Sequence, residues 1–426
     1  MSRTETRIGL LHHVGGGNLG DEATLETIAS NIKQRWPIAE IVAFSMNPDD
    51  TEARHGIKSY PLRRKSWGLG YRPVETKATF KEGMKALVRK HKAIFYLLAT
   101  IHLPSEALRE LSFLVTSRHK VKSLDLLIIS GGGQLTGRDG PWGFPYTILK
   151  WIVLARSAGV RCIFLNVGAG PLSHPLAKFF ARRALFSAEY VSLRDNKSQA
   201  LVREIGFTGE SRVFPDSVYS LESAATNANP PEHGSRPLVG FAPMPYPDQG
   251  GAPTERDQIL YNAFIAKLAG FGSWLASQSY ALTLFGTDIG VDPQAIKDLQ
   301  KTLQDQEVIC SPQYGINYPV ESVRDLLATM SGLDYVVTCR FHGVVFAHLL
   351  NKPVLAIAHH PKVAELMSDL DLSAYCVDIR DFDPNLLAER FALMVVRTEE
   401  IKARMAARLT RNRQLLRRQF DELFRL

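Results

Sequence analysis

Three apolar runs of this chain end in basic side chains. "YVSLRD" leaves Arg194 just past a strand-like run, with Asp195 opening the next helix. "VVTCRFHGVV" leaves Arg340 and His342, with Gly343 easing entry into a helix, and "VLAIAHHPK" leaves His359, His360 and Lys362. A guanidinium offers a planar fork that matches a carboxylate or phosphate. An imidazole, with a reference pKa of about 6.5, gives and takes protons near neutrality. Two arginines and a histidine suit a small substrate with two anionic ends and one proton transfer. Each charge-assisted bond to such a ligand contributes roughly 1.5–3 kcal/mol. A lone arginine after a strand usually forms only a surface ion pair. Arg340 and His342 after one apolar run carry more information.

A glycine-rich stretch near the start, "HHVGGGNLGDEA" (12–23), contains G-x-G-x-x-G at Gly15, Gly17 and Gly20. Two features exclude a dinucleotide fingerprint. That fingerprint rests a pyrophosphate on the helix N-terminus, where Asp21 and Glu22 stand here and answer the helix dipole themselves. It also needs an acid after the second strand, but "EIVAFSMN" (40–47) carries its acid, Glu40, at the opposite end. Asn18 and Asp21 suit hydroxyl groups instead, with a helix N-cap as the plainer role for Asp21. Further glycine loops, "GGG" (131–133) and "GAG" (168–170), follow other strands. No His/Cys/carboxylate spacing favours a metal, since the adjacent His359 and His360 cannot share one helix face. No metal and no cofactor are expected. Cys162, Cys310, Cys339 and Cys376 are far apart and form no C-x-x-C, as expected of reduced core thiols.

These side chains need a scaffold that gathers strand ends. Short apolar strands alternate with helical patterns, which predicts an α/β fold with parallel sheets. Strands are expected at 7–13, 124–130, 160–168 and 189–194, then at 237–243, 280–286, 333–339 and 353–358. Helices are expected at 21–35, 146–158, 255–277 and 320–331. The Pro-rich polar stretch 222–237 reads as a linker. The expected organisation is a Rossmann-like domain over 1–225, a second over 238–390 and a C-terminal helix over 391–426. The two domains face each other across a cleft, where ligands sit beyond the strand ends.

Segment 77–122 interrupts this rhythm. It holds ten Lys/Arg against three Asp/Glu around the apolar "AIFYLLATIHL". It reads as a helical insertion on the first domain, the alternative being a basic amphipathic hairpin resting on a membrane surface. Its apolar run is far short of the roughly 20 residues of a bilayer span, and the N-terminus lacks an apolar signal core. A cytoplasmic location follows, peripheral to the inner face of the membrane if 77–122 touches lipid. The net charge of +8 favours anionic partners, but it forms no dense basic tail, so nucleic acid is not expected.

In this order and spacing, "GGGNLGDEA", "IISGGG", "SLRD", "VFPDS" and "RFHG" resemble the polysaccharide pyruvyl transferase family over roughly residues 7–372. The resemblance implies a fold similar to the GT-B glycosyltransferases. It implies transfer of enolpyruvyl from phosphoenolpyruvate to a sugar of a cell-envelope polysaccharide or exopolysaccharide, often lipid-linked. Arg194, Arg340 and His342 are then expected to contact phosphoenolpyruvate, with Lys362 a secondary candidate. His342 would be the general acid/base, and Asp21 would orient or deprotonate an acceptor hydroxyl. Gly17, Asn18 and Asp216 are expected on the acceptor side. Loops 136–145 and 244–254, with Trp142 and Tyr246, are candidates for acceptor specificity. The rival expectation is a sugar-nucleotide glycosyltransferase of the same fold. A carbohydrate-binding subunit without catalysis is a third reading, disfavoured because Arg194, Arg340 and His342 are all present.

Overall fold

The computed structural model describes residues 6–64, 108–221, 236–247, 254–308 and 320–424. They form two α/β units on wholly parallel sheets. The first sheet holds β1 (Arg7–Leu11), β2 (Glu40–Ser45), β3 (Ser59–Pro61), β4 (Leu126–Ser130), β5 (Arg161–Val167), β6 (Tyr190–Leu193) and β7 (Arg212–Val213). Their spatial order is β3-β2-β1-β4-β5-β6-β7, with Ile8 in register with Ile41 on one side and Leu126 on the other. The second sheet holds β8 (Leu238–Ala242), β9 (Ala281–Leu284), β10 (Tyr335–Thr338), β11 (Val354–Ala358) and β12 (Cys376–Asp378), in the order β12-β11-β10-β8-β9.

The central strands "LLIIS", "LVGFA" and "VLAIA" are buried throughout. Helices cover both faces of a parallel sheet, so such strands read as continuous apolar runs. Chain direction across the sheet reverses between β1 and β4 and again between β8 and β10. Loops at those points open the crevice where α/β proteins bind ligands.

Each strand expected from sequence forms within about two residues of its expected bounds, and the 255–277 helix is Glu255–Ser277. The strands not expected are β3, β7 and β12. They have two or three residues each, too few for an apolar pattern to register. Glu255–Ser277 is the one helix among the described residues long and apolar enough to cross a membrane. Here its Phe264, Ile265, Leu268, Phe271 and Leu275 face are buried in the second unit's core. Of the 77–122 insertion, only a helix over 108–121 and its end lie within the described residues. The apolar run 93–101 and nearly all of the expected linker lie outside them.

The C-terminal region differs from the expected 391–426 helix. One helix, Pro384–Val396, packs on Glu255–Ser277, and a second, Thr398–Leu423, crosses back to the first unit. There Gln419 donates to Asn166 Oδ1 (2.8 Å), Tyr190 Oη (3.0 Å) and Ser192 Oγ (3.0 Å), while Asn166 Nδ2 donates to Gln419 Oε1 (2.9 Å). Tyr219 of the first unit donates to His348 Nδ1 of the second (3.0 Å), and His348 Nε2–H donates to the Met405 carbonyl (2.8 Å). Buried there, His348 is held neutral, its pKa pushed down to about 4.

Candidate active site

The loop after β1 is already spoken for. Asn18, not Asp21, caps the helix Leu19–Arg35: its Oδ1 accepts from the Gly20 and Asp21 amides at 3.0 and 3.4 Å. Glu22 Oε1 accepts from the Gly15 amide at 2.9 Å and its Oε2 pairs with His55 at 2.7 Å. The donors that a pyrophosphate would need are thus occupied. Gly17 and Leu19, which flank Asn18, form part of the joint between the units. The Leu19 amide donates to the Thr287 carbonyl and the Ile289 amide to the Gly17 carbonyl, both at 2.9 Å. Gly17 has φ +85°, and a Cβ there would lie 2.8 Å from Ile289 Cγ1, so glycine is required for the close approach.

Asp21 instead points back to His13, with Oδ2 2.9 Å from Nε2. Burial alone would raise its pKa, but the His13 imidazole holds the carboxyl well below the usual range. Beside it, Gly20 leaves the space that His342 of the second unit fills; a Cβ on Gly20 would overlap the imidazole ring. His342 and Asp21 therefore meet across the domain boundary, one from each unit.

Asp216 follows β7. Its Oδ1 accepts from the Val218 amide at 3.0 Å, capping the turn Ser217–Ser220, and its Oδ2 lies 3.3 Å from Arg194 Nη1 and 3.8 Å from His342 Nε2. Burial opposes its charge, yet His342 and Arg194 keep the carboxyl below its ordinary pKa. This places Asp216 against Arg194 and His342, where it also lines the neighbouring cavity. Arg194 stacks on the Phe341 ring, its guanidinium carbon 4.2 Å from the centroid. Such stacking preserves a guanidinium's in-plane donors.

Arg340 caps the helix Phe341–Leu349 without a side-chain cap bond and reaches Asp292 Oδ1 at 2.6 Å. Asp292 is fully buried, and its other oxygen accepts from the Thr287 and Asp288 amides at 3.1 and 3.0 Å. Nearby Asp288 is pushed up to about 7 by burial, against the pull of Arg340. Lys362, at the start of helix Pro361–Asp369, lies 6.0 Å from the Phe341 centroid. Among the described residues no carboxylate lies within ion-pair distance of its ammonium. Burial, then Arg194, push its pKa down to about 8, with Arg340 and Arg138 adding to the effect. His359 donates from Nδ1 to the Cys339 carbonyl at 2.8 Å, and His360 Nδ1 accepts from the Lys362 amide at 3.3 Å. Both are held neutral, with pKa values near about 4, chiefly by burial.

Of the sequence-predicted cations, Arg194 and Lys362 therefore lie over the Phe341 ring beside His342, while Arg340 is turned to Asp292. A cavity of about 330 Å³ opens beside them, lined by Arg194, Asp216, Phe341 and Lys362 from the two units and by Arg408 and Asn412 of the C-terminal helix. Trp142 is 66% exposed and rests on Tyr146 and Phe180, so it remains available at the surface. Tyr246 packs on Phe264. Most of the 244–254 loop lies outside the described residues. Among those residues no group of three or more His, Cys, Asp or Glu side chains gathers as a metal site. Sequence reading missed His13, Asp292 and Phe341. Phe341 was legible, lying between Arg340 and His342; Asp292 carries no local signal.

Solved structures share this architecture at low identity. A UDP-N-acetylglucosamine 2-epimerase is 11% identical with a TM-score of 0.53, covering 95% of this chain and 91% of its own. The UDP-GlcNAc 2-epimerase of Neisseria meningitidis, bound to UDP-GlcNAc, is 10% identical with a TM-score of 0.50, covering 94% of each chain. The spinosyn rhamnosyltransferase SpnG with thymidine diphosphate is 11% identical with a TM-score of 0.51, covering 96% of each chain. At such identity they show the fold alone, that of the GT-B glycosyltransferases and the 2-epimerases. No curated protein sequence matches the chain. The family model for polysaccharide pyruvyl transferase matches residues 18–361, a span that holds every strand but β1 and β12 together with Arg194, Arg340 and His342, and the chain belongs to that family.

Proposed function

We propose that the protein transfers the enolpyruvyl unit of phosphoenolpyruvate to a saccharide, free or lipid-linked, releasing phosphate and closing a pyruvate ketal. The observation that carries this reading is the placement of Arg194 and Lys362 over one ring, Phe341, with Lys362 depressed by burial and by Arg194 and Arg340. A bound dianion would relieve that mutual repulsion. The N-termini of Phe341–Leu349 and Pro361–Asp369 add the positive ends of two helix dipoles.

In this reading, the imidazolium of His342 gives its proton to C3 of phosphoenolpyruvate, and the C2=C3 π pair forms the new C–H bond. C2 becomes oxocarbenium-like. An acceptor hydroxyl bonds to C2 and passes its proton to Asp21. The C2–O bond to phosphate then breaks, and phosphate leaves with the bonding pair. A second hydroxyl closes the ring. The two hydroxyl protons restore the imidazolium and accompany the phosphate. Arg194 and Arg340 neutralise charge that builds on the leaving phosphate, the kind of preorganised electrostatic help that dominates many active sites. The test is mass spectrometry of a saccharide panel incubated with phosphoenolpyruvate. One saccharide should gain the mass of a ketalated pyruvate. Transfer only from nucleotide sugars would replace this reading with the glycosyltransferase one.

A further inference from the structure

Resting on that reading, we infer that His13 is the positioning residue for Asp21, holding one carboxylate oxygen so that the other is presented to the acceptor hydroxyl. Asp21 Oδ2 is engaged by His13 Nε2 at 2.9 Å. Asp21 Oδ1 faces the space over Gly132, where a Cβ would lie 3.0 Å from it and 2.6 Å from His13 Cε1. Gly132 has φ +62° and stands at the end of β4, where the sheet order reverses. A side chain there would close the gap; glycine keeps it open for a hydroxyl.

The imidazole is itself held. It stacks on the His12 ring at 5.1 Å and 7°, and meets Phe144 edge-on at 5.5 Å. His13 Nδ1 is buried without a hydrogen-bond partner among the described residues. Nε2 is thus the ring nitrogen with a partner, and its N–H points at Asp21 Oδ2. His12 is fully buried and held neutral; burial pushes its pKa down to about 3. During attack on C2, the hydroxyl proton moves to Asp21 Oδ1 while an oxygen lone pair forms the bond to carbon.

The groups facing Asp21 are His12 and His13 from the loop after β1, His342 and Lys362 from the second unit, and Asp288 across the joint. Burial acts to raise the Asp21 pKa, and His13 is the chief opposing influence. Removing His13 must therefore raise it. The experiment compares wild type, His13→Ala, the bulkier His13→Phe and the donor-retaining His13→Gln in the full chain. The first readout is the Cγ resonance of Asp21 against pH in aspartate-labelled protein. The second is kcat for phosphate release from phosphoenolpyruvate with p-nitrophenyl gluco-, galacto- and mannopyranosides.

Asp21 should titrate at clearly higher pH in the Ala and Phe variants, and Gln should restore most of the wild-type behaviour. In the same two variants kcat should fall at least tenfold, with phosphoenolpyruvate affinity unchanged within twofold. The same Asp21 titration in all four proteins overturns the inference, as does wild-type kcat in both Ala and Phe. The resonance arm needs neither donor nor acceptor. A wild type that binds no phosphoenolpyruvate overturns the proposed function and leaves that arm to decide the role of His13.

Discussion

At the scale of single residues, the proposed mechanism divides its labour between two histidines, Asp21 and three cations. His342 sits against Gly20 with Asp216 3.8 Å from its Nε2. His342→Ala should lower phosphate release by about 10²–10⁴-fold, the span typical of a lost general acid, while phosphoenolpyruvate binding stays measurable by calorimetry. Near wild-type turnover would remove His342 from that role. Lys362 makes a pH prediction with a definite sign. Its free-state pKa is pushed down to about 8, and a bound anion must raise it again. Affinity for phosphoenolpyruvate should therefore be highest below about pH 8 and fall by up to tenfold per unit above it. A titration series from pH 7 to 10 checks this, and Lys362→Arg, which does not titrate there, should flatten the curve.

At the scale of elements, the decisive contact is a glycine at the head of one helix receiving a histidine from another. Gly20→Ala gains helix propensity of about 1 kcal/mol, so a simple stability argument predicts no harm. The added Cβ would nonetheless displace the His342 ring at its root. We expect kcat to fall at least tenfold with the urea midpoint held near wild type; unchanged kcat would show that the joint relaxes without moving the ring. This contact also marks how far the sequence is legible. Arg194, Arg340 and His342 were readable because strand ends in α/β folds face the ligand. The Asn18 cap was readable in principle, since Asn before a periodic run is a capping signal. The pairing of Arg340 with Asp292 was not, because residues 48 apart meet only once the second sheet has formed. The same holds for His13, whose role depends on which way its ring turns. Strands of four residues or more declared themselves by apolar runs, whereas β3, β7 and β12 had too few residues to do so.

At the scale of the whole molecule, two sheets become one site only if their relative placement is fixed. The C-terminal helix Thr398–Leu423 does part of this by returning to the first unit. Gln419, 1% exposed, donates to Asn166, Tyr190 and Ser192 there and accepts from Asn166. Gln419→Ala strips partners from a buried network and should destabilise by about 2–3 kcal/mol, read as a lower urea midpoint. Activity measured well below that midpoint should persist, because Gln419 lies away from the cation cluster. A midpoint equal to wild type would show that the helix is held by its apolar face alone.

The central claim is that the cations gathered around Phe341 hold phosphoenolpyruvate. Calorimetric titration of the full chain with phosphoenolpyruvate, beside UDP and thymidine diphosphate, tests it most directly. The account predicts saturable binding of phosphoenolpyruvate, weakened about tenfold or more by Arg194→Ala and by Arg340→Ala, and no comparable binding of either nucleotide. Tight nucleotide binding with no heat from phosphoenolpyruvate would contradict it.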